Sequence, residues 1–480
     1  MGTGGGGVSR QESPSMLRVV NPATGELIAT LPAATADDVA KAAEQARQVF
    51  EAGVWSGLPV RERAAVLLRL AALMERDAEI LARLDSEDAG KPIAECRAGD
   101  VPGAVEAIRW FAEAADKVFG RLAPTGRDDL GLISREPVGV VAAILPWNYP
   151  LAMAAWKVGP ALAAGNCLLL KPAEATPRSA LHLADLAAEA GLPEGVLTVL
   201  PGHGPVAGTA LARSSVVGAL SFTGSTAVGR RILKDAADSN FKRVSLEMGG
   251  KSPQVLMADA IAYGDELIDG MIEAAFLTMG QNCTAGSRVL VHESIADEVL
   301  ARFTAAAKKL VIGDPAHPRT QMGPLIDHAA FSRVAKVVEA ARADGARIHT
   351  AGLPDDLPAL GAYYPPTVIT QAPEGSDVLT KELFGPVVTV QTFTTEAQAI
   401  RMANATAYGL AASVWTRDLD AAFRLARGIH AGVVSVNCYS EGDITAPFGG
   451  WKESGFGGAE KSTNAFEQWT REKTVWIRTR

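Results

Sequence analysis

Cysteine and histidine are scarce in this sequence and follow no metal-binding pattern. The 480 residues include four cysteines, and none of them forms a CxxC pair. This spacing indicates neither a disulfide framework nor a thiolate metal site, and it favours a reducing, cytoplasmic location. The seven histidines form no i, i+4 pair and no HExxH motif, so the sequence predicts no metal site.

Excess positive charge and long hydrophobic runs are also missing. The chain has 46 Lys plus Arg against 54 Asp plus Glu, so its net charge of −8 creates no basic field for nucleic acid. The longest apolar stretches, such as residues 138–147, are shorter than the roughly 18 residues that a membrane-spanning helix needs. We therefore expect neither a nucleic acid nor a membrane as partner. The 48% hydrophobic composition fits a globular protein of two or three domains.

Strand and helix patterns alternate after residue 138. Residues 1–16 contain no long apolar segment and predict a flexible tail. Two helical regions follow, one behind a capping box of Thr35 and Asp38 and one at 59–84. Apolar runs without alternation then predict buried strands, which with the intervening helices make a doubly wound, mostly parallel α/β domain. The strands are expected at 138–146, 167–170, 196–200, 218–222 and 243–246, and the helices at 151–164, from 177 with Thr176 as cap, and at 225–237.

The alternation restarts after residue 250 and predicts a second α/β domain. Strands are expected at 253–257 and 288–291, and helices at 265–279 and 295–310. Two α/β domains joined in sequence are therefore the simplest account of the fold.

Three residues could carry chemistry, and each also has a structural interpretation. Cys283, in GQNCTAG, is a candidate nucleophile in a glycine-flanked turn, although a lone cysteine is more often a small buried apolar residue. Glu247, at a predicted strand end in SLEMGGK, suits a general base, or it is simply solvated. Asn148, in PWNYP, can donate to a developing oxyanion, or it only forms a turn.

Two further segments could bind a phosphate or a ribose. Phe222 to Ser225, with Gly224 in the turn, join a strand end to a helix start, although GSTAVG is not the GxGxxG fingerprint and is a weak signal. Lys171 follows a buried strand in LLLKPAE and suits a hydroxyl or a phosphate. Glu174 could bind a ribose diol, or it could favour the dipole of the following helix.

Seven motifs taken together resemble one family. PWNYP, KPAE, FTGS, LEMGGK, GQNC, KELFGP and PFGGWKESG occur in the order found in the NAD(P)-dependent aldehyde dehydrogenase superfamily. The resemblance implies an aldehyde dehydrogenase fold of the α/β class. This fold combines a Rossmann-like cofactor domain, an α/β catalytic domain and a small β extension that joins subunits, so a homodimer or homotetramer is implied.

The resemblance also implies the chemical roles of the candidate residues. Cys283 would attack an aldehyde, and the Asn148 amide with the Cys283 backbone N–H would hold the oxyanion. Glu247 would then activate the water that hydrolyses a thioester. NAD is favoured over NADP because Glu174 would repel a 2′-phosphate. The residues expected around the cofactor are Trp147, Lys171, Glu174, Phe222, Gly224, Ser225, Gly249, Glu382 and Phe384.

The C-terminal segment is similar to the branch that oxidises ω-amino aldehydes, including γ-glutamyl-γ-aminobutyraldehyde and guanidinobutyraldehyde. Betaine aldehyde and plain aliphatic aldehydes remain alternatives, as does a catalytically silent dinucleotide-binding protein. Glu441 or Asp443 could pair with a cationic substrate, or either could be an exposed loop carboxylate. The expected substrate residues are Tyr149, Met153, Trp156, Asn282, Thr284, Glu441, Asp443 and Phe448.

The resemblance divides the chain into four parts. A tail at 1–16 precedes an NAD-binding domain made of 17–119 and 136–249. The catalytic domain is expected at 250–453, and the oligomerisation extension at 120–135 and 454–480. Exposed apolar side chains that would be awkward in a monomer are expected at Trp469, Val475, Trp476 and Ile477.

Overall fold

The computed structural model describes residues 16–479 and contains two large sheets in which most strands run parallel. This architecture confirms the predicted α/β class. In hydrogen-bonded order, the six-stranded sheet contains Gly455–Phe456, Arg243–Glu247, Ala219–Thr223, Val140–Ile144, Cys167–Lys171 and Leu197–Val199. The seven-stranded sheet contains Arg347–Thr350, Thr367–Thr370, Val387–Phe393, Arg288–His292, Pro253–Leu256, Ala411–Trp415 and Val433–Val436.

Helices pack around both sheets. The α-helices are Ala36–Glu51, Val60–Arg76, Ala78–Ala89, Ile93–Glu95, Val101–Ala114, Pro150–Ala163, Arg178–Glu189, Thr209–Arg213, Thr226–Ala237, Asp265–Phe276, Ala296–Ala307, His328–Ala343, Asp377–Thr380, Glu396–Asn404, Leu419–Gly428 and Ala465–Trp469. Short 3₁₀ turns lie at Ala115–Lys117, Ala258–Tyr263, Leu277–Gly280 and Glu293–Ile295, and π turns lie at Cys96–Asp100 and Gly204–Gly208. Within the described range, no helix combines the length and the apolar character needed to cross a membrane.

The strand Val140–Ile144 illustrates why the sequence pattern was informative. All five of its residues are buried, as a non-alternating apolar run predicts for a strand covered on both faces. Cys167–Lys171 pairs with it on one side and Ala219–Thr223 on the other, so the order of connections reverses here. In such sheets, the crevice at the carboxyl ends of the strands is the usual place for a ligand.

Three local predictions differ from the structure. The helical region at 59–84 is two helices, since Asp77 leaves helical geometry with φ −98° and ψ 19°. Thr176 does not cap the following helix, which begins at Arg178 after Pro177 and has no side-chain cap. The helix predicted at 265–279 ends at Phe276, because the next turn bends sharply. The capping box of Thr35 and Asp38 is confirmed.

The N-terminal tail prediction is wrong at its last residue. Met16 opens the strand Met16–Val20, which pairs antiparallel with Leu27–Pro32. Residues 1–15 of the predicted tail lie outside the described residues. A second small pairing joins Tyr408–Gly409 to Trp451–Lys452.

A third sheet has three strands and carries the C-terminus. Its order is Thr470–Arg478, Asp129–Pro137, Arg121–Ala123, and both pairings are antiparallel. Val475, Trp476 and Ile477 are exposed, at 42%, 58% and 39%. Trp469, which was also expected to be exposed, is instead fully buried against the core beside the six-stranded sheet.

Candidate active site

The predicted chemical residues lie where strands of the six-stranded sheet end. Trp147 and Asn148 follow the strand Val140–Ile144, and Glu247 is the last residue of Arg243–Glu247. The chain then crosses to the second sheet, whose first strand begins at Pro253. The segment 248–252 therefore connects the two large sheets.

The cysteine loop is reached through a strained turn. Thr278 and Met279 have φ values of 52° and 57°, a left-handed geometry that costs roughly 1–2 kcal/mol for each such residue. The Glu95 carboxylate holds this turn, since it accepts from the Thr278 backbone N–H at 3.3 Å and from its hydroxyl at 3.0 Å. Burial raises the pKa of Glu95 to about 7. This turn ends the helical segment and leads into the loop that carries Cys283.

Asn148 and the cysteine loop are in direct contact. The Asn148 side-chain amide is buried and donates to the Gln281 backbone carbonyl at 2.9 Å. An amide nitrogen carries two protons, so one proton remains available for a second acceptor. The amide predicted to bind an oxyanion is therefore fixed two residues from Cys283.

Cys283 is half-buried, and its thiol lies 3.7 Å from the Asn282 side-chain carbonyl oxygen. Burial raises the pKa of this thiol well above its ordinary value, and the carboxylates of Glu441, Glu382 and Glu247 raise it further. The thiol is therefore protonated at neutral pH in the structure as it stands. A nearby positive charge would be needed to form the thiolate.

Glu247 is buried, and one of its carboxylate oxygens accepts from the Gly450 backbone N–H at 3.3 Å. Burial raises the pKa of this carboxyl group well above its ordinary value, and the nearby Glu460 carboxylate raises it further, while Lys157 opposes the shift. Glu460 is itself paired with the buried Lys157. A carboxyl group with a raised pKa is a stronger base once it is ionised.

Two glycines allow this close assembly. A Cβ atom at Gly250 would lie 2.4 Å from the Cys283 carbonyl oxygen, so only glycine fits between the Glu247 strand end and the cysteine loop. A Cβ atom at Gly249 would lie 2.0 Å from a carboxylate oxygen of Glu382. Glu382 accepts from the Gly250 N–H at 3.0 Å, and burial raises its pKa to about 7.

Four of the residues expected around the cofactor form two contacting pairs. Lys171 is buried, donates to the Pro172 carbonyl at 2.9 Å and lies 3.7 Å from the Glu174 carboxylate. Glu174 also accepts from the Gly204 N–H at 2.5 Å. Trp147 and Phe384 form a second group, with ring centroids 5.2 Å apart in an edge-to-face arrangement.

The glycine turn after Ala219–Thr223 has a clear local structure. Ser225 is exposed and caps the helix Thr226–Ala237 by accepting from the Val228 N–H at 3.4 Å. Phe222 is buried in the core and packs beneath Gly224, so its ring faces the protein interior.

Four residues form a polar network next to the thiol. Asn282, Thr284 and Glu441 were predicted as substrate residues, and Tyr439 was not. The Thr284 hydroxyl lies 2.7 Å from the Tyr439 hydroxyl and donates to the Glu441 carboxylate at 2.5 Å. The Asn282 amide donates to Tyr439 at 2.8 Å and to Glu441 at 3.4 Å. Glu441 therefore points toward the cysteine loop.

Asp443 lies outside this network. Its side chain is exposed and accepts from the Thr445 backbone N–H at 2.8 Å, which lowers the pKa of the carboxyl group. Of the two carboxylates expected to pair with a cationic substrate, the geometry favours Glu441 and gives Asp443 the role of an exposed turn residue.

The three aromatic and apolar residues expected on one helical face take different positions. Tyr149 lies at the N-cap of Pro150–Ala163, and its hydroxyl is 3.2 Å from the Thr278 hydroxyl. Met153 is half-buried on the first turn. Trp156 packs edge-to-face against Phe448, with ring centroids 5.5 Å apart.

A cavity of about 630 Å³ opens beside Tyr149 and Thr278. Four carboxylates line it, and no lysine or arginine belongs to its lining. These acidic residues are Glu95, Asp100, Asp269 and Glu273.

Sequence reasoning missed Tyr439, Lys157, Glu460 and Lys461. Lys157 did carry a signal, since it is the one charged residue in the apolar helix Pro150–Ala163, where an unpaired charge would be costly. Nothing near the other three marks them, because their contacts are far away in sequence. Among residues 16–479, no group of three or more His, Cys, Asp or Glu is arranged to hold a metal ion.

The comparisons with known proteins agree with this geometry. The model of the aldehyde dehydrogenase family matches residues 8–475, and the chain belongs to that family. The chain is 46% identical over 457 residues to aminoacetaldehyde dehydrogenase of Pseudomonas aeruginosa, which covers 95% of this chain and 91% of that protein.

Two solved structures are close in both fold and sequence. The γ-glutamyl-γ-aminobutyraldehyde dehydrogenase from Burkholderia cenocepacia has a TM-score of 0.93 and 45% identity, covering 97% of this chain and 94% of that one. An indole-3-acetaldehyde dehydrogenase solved in complex with NAD⁺ has a TM-score of 0.93 and 44% identity, covering 97% and 93%.

Proposed function

We propose that the chain oxidises an aldehyde to a carboxylic acid, with NAD as the hydride acceptor. The observation that carries this proposal is the convergence of three groups on one cleft. Asn148 is hydrogen-bonded to the loop that carries Cys283, and Gly250 brings the strand end of Glu247 against the same loop. A nucleophile, an oxyanion donor and a base are the groups that this oxidation requires.

Cys283 acts as the nucleophile. Its thiolate adds to the aldehyde carbon and forms a thiohemiacetal, while the remaining Asn148 N–H and the Cys283 backbone N–H stabilise the oxygen. Removing one such donor typically lowers the rate about 10²–10³-fold. Burial and three carboxylates raise the pKa of the thiol, so a positive charge bound beside Cys283 would favour the thiolate that attacks the aldehyde.

Glu247 completes the reaction as a general base. When bound, NAD supplies the hydride acceptor, and loss of hydride from the thiohemiacetal carbon leaves a thioester on Cys283. Glu247 then takes a proton from water, whose oxygen adds to the thioester carbon and releases the acid and the thiol. Aldehyde, water and NAD⁺ thus give acid, NADH and one proton.

The residues fit an adenosine ribose and a nicotinamide ribose at separate places. The buried Lys171 ammonium beside the Glu174 carboxylate offers a donor and an acceptor of the kind that a ribose diol needs. Glu382 lies next to Gly249 and would bind the nicotinamide ribose. The rings of Trp147 and Phe384 would pack against the nicotinamide. Gly224 and Ser225 would flank the pyrophosphate, whereas Phe222, which was also expected there, is buried in the core and supports the turn from beneath. The solved relative in complex with NAD⁺ supports this cofactor.

Glu174 favours NAD over NADP. A 2′-phosphate on the adenosine ribose would place a second negative group near this carboxylate, and the repulsion would weaken binding. Lys171 is the nearby cation, and it is already engaged with Glu174 and a backbone carbonyl.

The substrate class we propose is an ω-amino aldehyde. Glu441 provides a carboxylate close to the thiol, and charge-assisted hydrogen bonds from a primary ammonium group would be strong there. Tyr149, Met153 and Trp156, with Asn282 and Thr284, would line the path to Cys283. Two relatives are named for amino aldehydes, which supports this substrate class.

The proposed domain division follows most of the sheet boundaries, but the edge strand Gly455–Phe456 of the six-stranded sheet falls in the segment proposed as the extension. Residues 17–119 and 136–249 form the NAD-binding domain and 250–453 the catalytic domain. Residues 120–135 and 454–480 form an extension that joins subunits into a homodimer or homotetramer. The exposed apolar side chains on Thr470–Arg478, an edge strand of the three-stranded sheet, support this assembly.

The direct test is NADH formation from NAD and a panel of aldehydes. We expect the wild-type protein to reduce NAD with 4-aminobutanal, and Cys283→Ala to bind NAD but form no NADH. Cys438→Ala is the matched control, because this cysteine is exposed, and it should keep full activity. Full activity in Cys283→Ala would contradict the mechanism.

A further inference from the structure

The Lys461 side chain occupies a position where a free ligand would be expected. This lysine is buried, and its ammonium group lies 4.6 Å from the centre of the Trp156 ring and 5.4 Å from the centre of the Phe448 ring. Both distances are within the range of a cation–π interaction. The two rings that the sequence assigned to the substrate path therefore already hold a cation from the chain itself.

The backbone holds Lys461 in this position. Its neighbour Glu460 exchanges two backbone hydrogen bonds with Phe448, at 2.7 and 2.6 Å. Lys461 itself has a φ of 58°, a left-handed geometry that is uncommon for lysine. Its ammonium donates to the carbonyl oxygens of Glu441 at 3.2 Å and Gly442 at 3.1 Å.

This ammonium group lies next to the proposed substrate position. The Glu441 carbonyl accepts from Lys461, while the Glu441 carboxylate accepts from Thr284, the residue after the nucleophile. The acidic side chains near Lys461 are Glu441, Asp443 and Glu106, and the neutral Cys283 thiol also lies within its reach. Lys461 thus contacts both the Trp156 and Phe448 rings and the segment that carries Glu441.

We propose that Lys461 is a specificity-determining residue that keeps quaternary ammonium groups away from the Trp156–Phe448 pair. Two aromatic faces form the type of surface that binds a trimethylammonium group. With Lys461 in place, such a group meets a like charge and finds no free ring. A primary ammonium group can instead donate hydrogen bonds to Glu441, which a trimethylammonium group cannot do. This inference rests on the proposed aldehyde oxidation.

The first test compares two aldehydes of equal shape. The probes are 4-trimethylammoniobutanal and 5,5-dimethylhexanal, its neutral analogue, and the measured quantity is the ratio of their kcat/KM values. We expect Lys461→Met to raise this ratio about 10-fold in favour of the cation, because the rings become free. Lys461→Arg keeps the charge and should leave the ratio within about 2-fold of wild type.

An unchanged ratio in Lys461→Met would overturn the proposal, and so would an equal increase in Lys461→Arg. One way to obtain an unchanged ratio is an equal rise of kcat/KM for both aldehydes in Lys461→Met. This result would mean that the variant has only made space in the site. Adding Phe448→Leu to Lys461→Met should cancel part of the gain, because one of the two rings is lost while the Trp156 ring remains.

A second variant decides the question if Lys461→Met does not fold. Phe448→Leu alone, with Lys461 intact, should leave the ratio unchanged, since the substrate cation does not reach the ring. A several-fold fall in the ratio would show that it does reach the ring, and the proposal would be wrong. Failure of the proposed function is distinguishable, because the wild-type protein would then form no NADH with any aldehyde.

Discussion

Replacement of Glu247 by glutamine separates the two halves of the proposed reaction. Glutamine has the same shape and can still accept from the Gly450 N–H, which donates to the carboxylate at 3.3 Å. Its neutral amide also avoids the cost of burying a charge, so the fold should not suffer. What the variant loses is the ability to take a proton from water.

The expected result is a burst of NADH followed by slow turnover. Aldehyde addition and hydride loss need Cys283 and Asn148 but not Glu247, so about one equivalent of NADH per active site should form at close to the wild-type rate. A positioned general base typically contributes 10²–10⁴-fold, and steady-state kcat should therefore fall by about that factor. The thioester should accumulate on Cys283.

Stopped-flow NADH absorbance measures the burst, and mass spectrometry of acid-quenched enzyme detects the acylated cysteine. Glu62→Gln, on an exposed helix face, is a matched control and should leave both phases intact. Loss of the burst in Glu247→Gln would mean that Glu247 acts before hydride transfer. Wild-type kcat in this variant would remove Glu247 from the reaction altogether.

The pH dependence provides a second readout of the same residue. Glu247 works as a base only when it is ionised, so kcat should fall as the pH drops through its pKa. Because burial and Glu460 raise that pKa well above the ordinary value for glutamate, the fall should begin at a higher pH than a solvated glutamate would give. The residual turnover of Glu247→Gln should lack this limb of the profile.

The remaining predictions concern the substrate and the assembly. Glu441→Gln should raise the KM for 4-aminobutanal about 5–30-fold relative to pentanal, since only the amine loses a charged hydrogen-bond partner. Asp443→Asn, at an exposed turn, should change neither KM by more than about 2-fold, and equal effects of the two variants would contradict the assignment. Trp476→Glu should dissociate the proposed oligomer in sedimentation or light scattering, because burying a carboxylate at an interface costs several kcal/mol. Leu360→Glu, another exposed apolar position, serves as its control, and an intact oligomer in Trp476→Glu would exclude this strand from the interface.

The parts of the site that lie next to a strand end could be predicted from the sequence. A buried apolar run fixes a central strand, and the carboxyl ends of parallel strands meet at one edge. Lys171 and Glu247 end such strands, and Trp147 and Asn148 come soon after one, so the sequence was enough to place them at the same edge of the sheet. Cys283 was assigned from the motif resemblance, because no local sequence pattern predicts the turn that precedes it.

The parts that depend on distant contacts could not be predicted. Tyr439 meets Asn282 and Thr284 from 157 and 155 residues away, and Lys157 meets Glu460 from 303 residues away. No local pattern encodes such pairs. The predicted end, at residue 279, of the helix that begins at Asp265 was wrong for a similar reason. The helix ends at Phe276, and the left-handed turn that follows it is held by Glu95, which is 183 residues away from Thr278.

The strained turn before Cys283 explains why the site depends on the contact between the two sheets. Thr278 and Met279 are in a conformation that the isolated loop would avoid, so contacts from outside the loop must offset its cost. Glu95 provides them from the N-terminal half of the chain, and Asn148 holds Gln281 from the end of a strand in the six-stranded sheet. The position of the loop that carries Cys283 therefore depends on contacts from the N-terminal half of the chain and from the six-stranded sheet. If that sheet binds the nucleotide as proposed, the geometry of the nucleophile and the binding of the cofactor depend on the same packing.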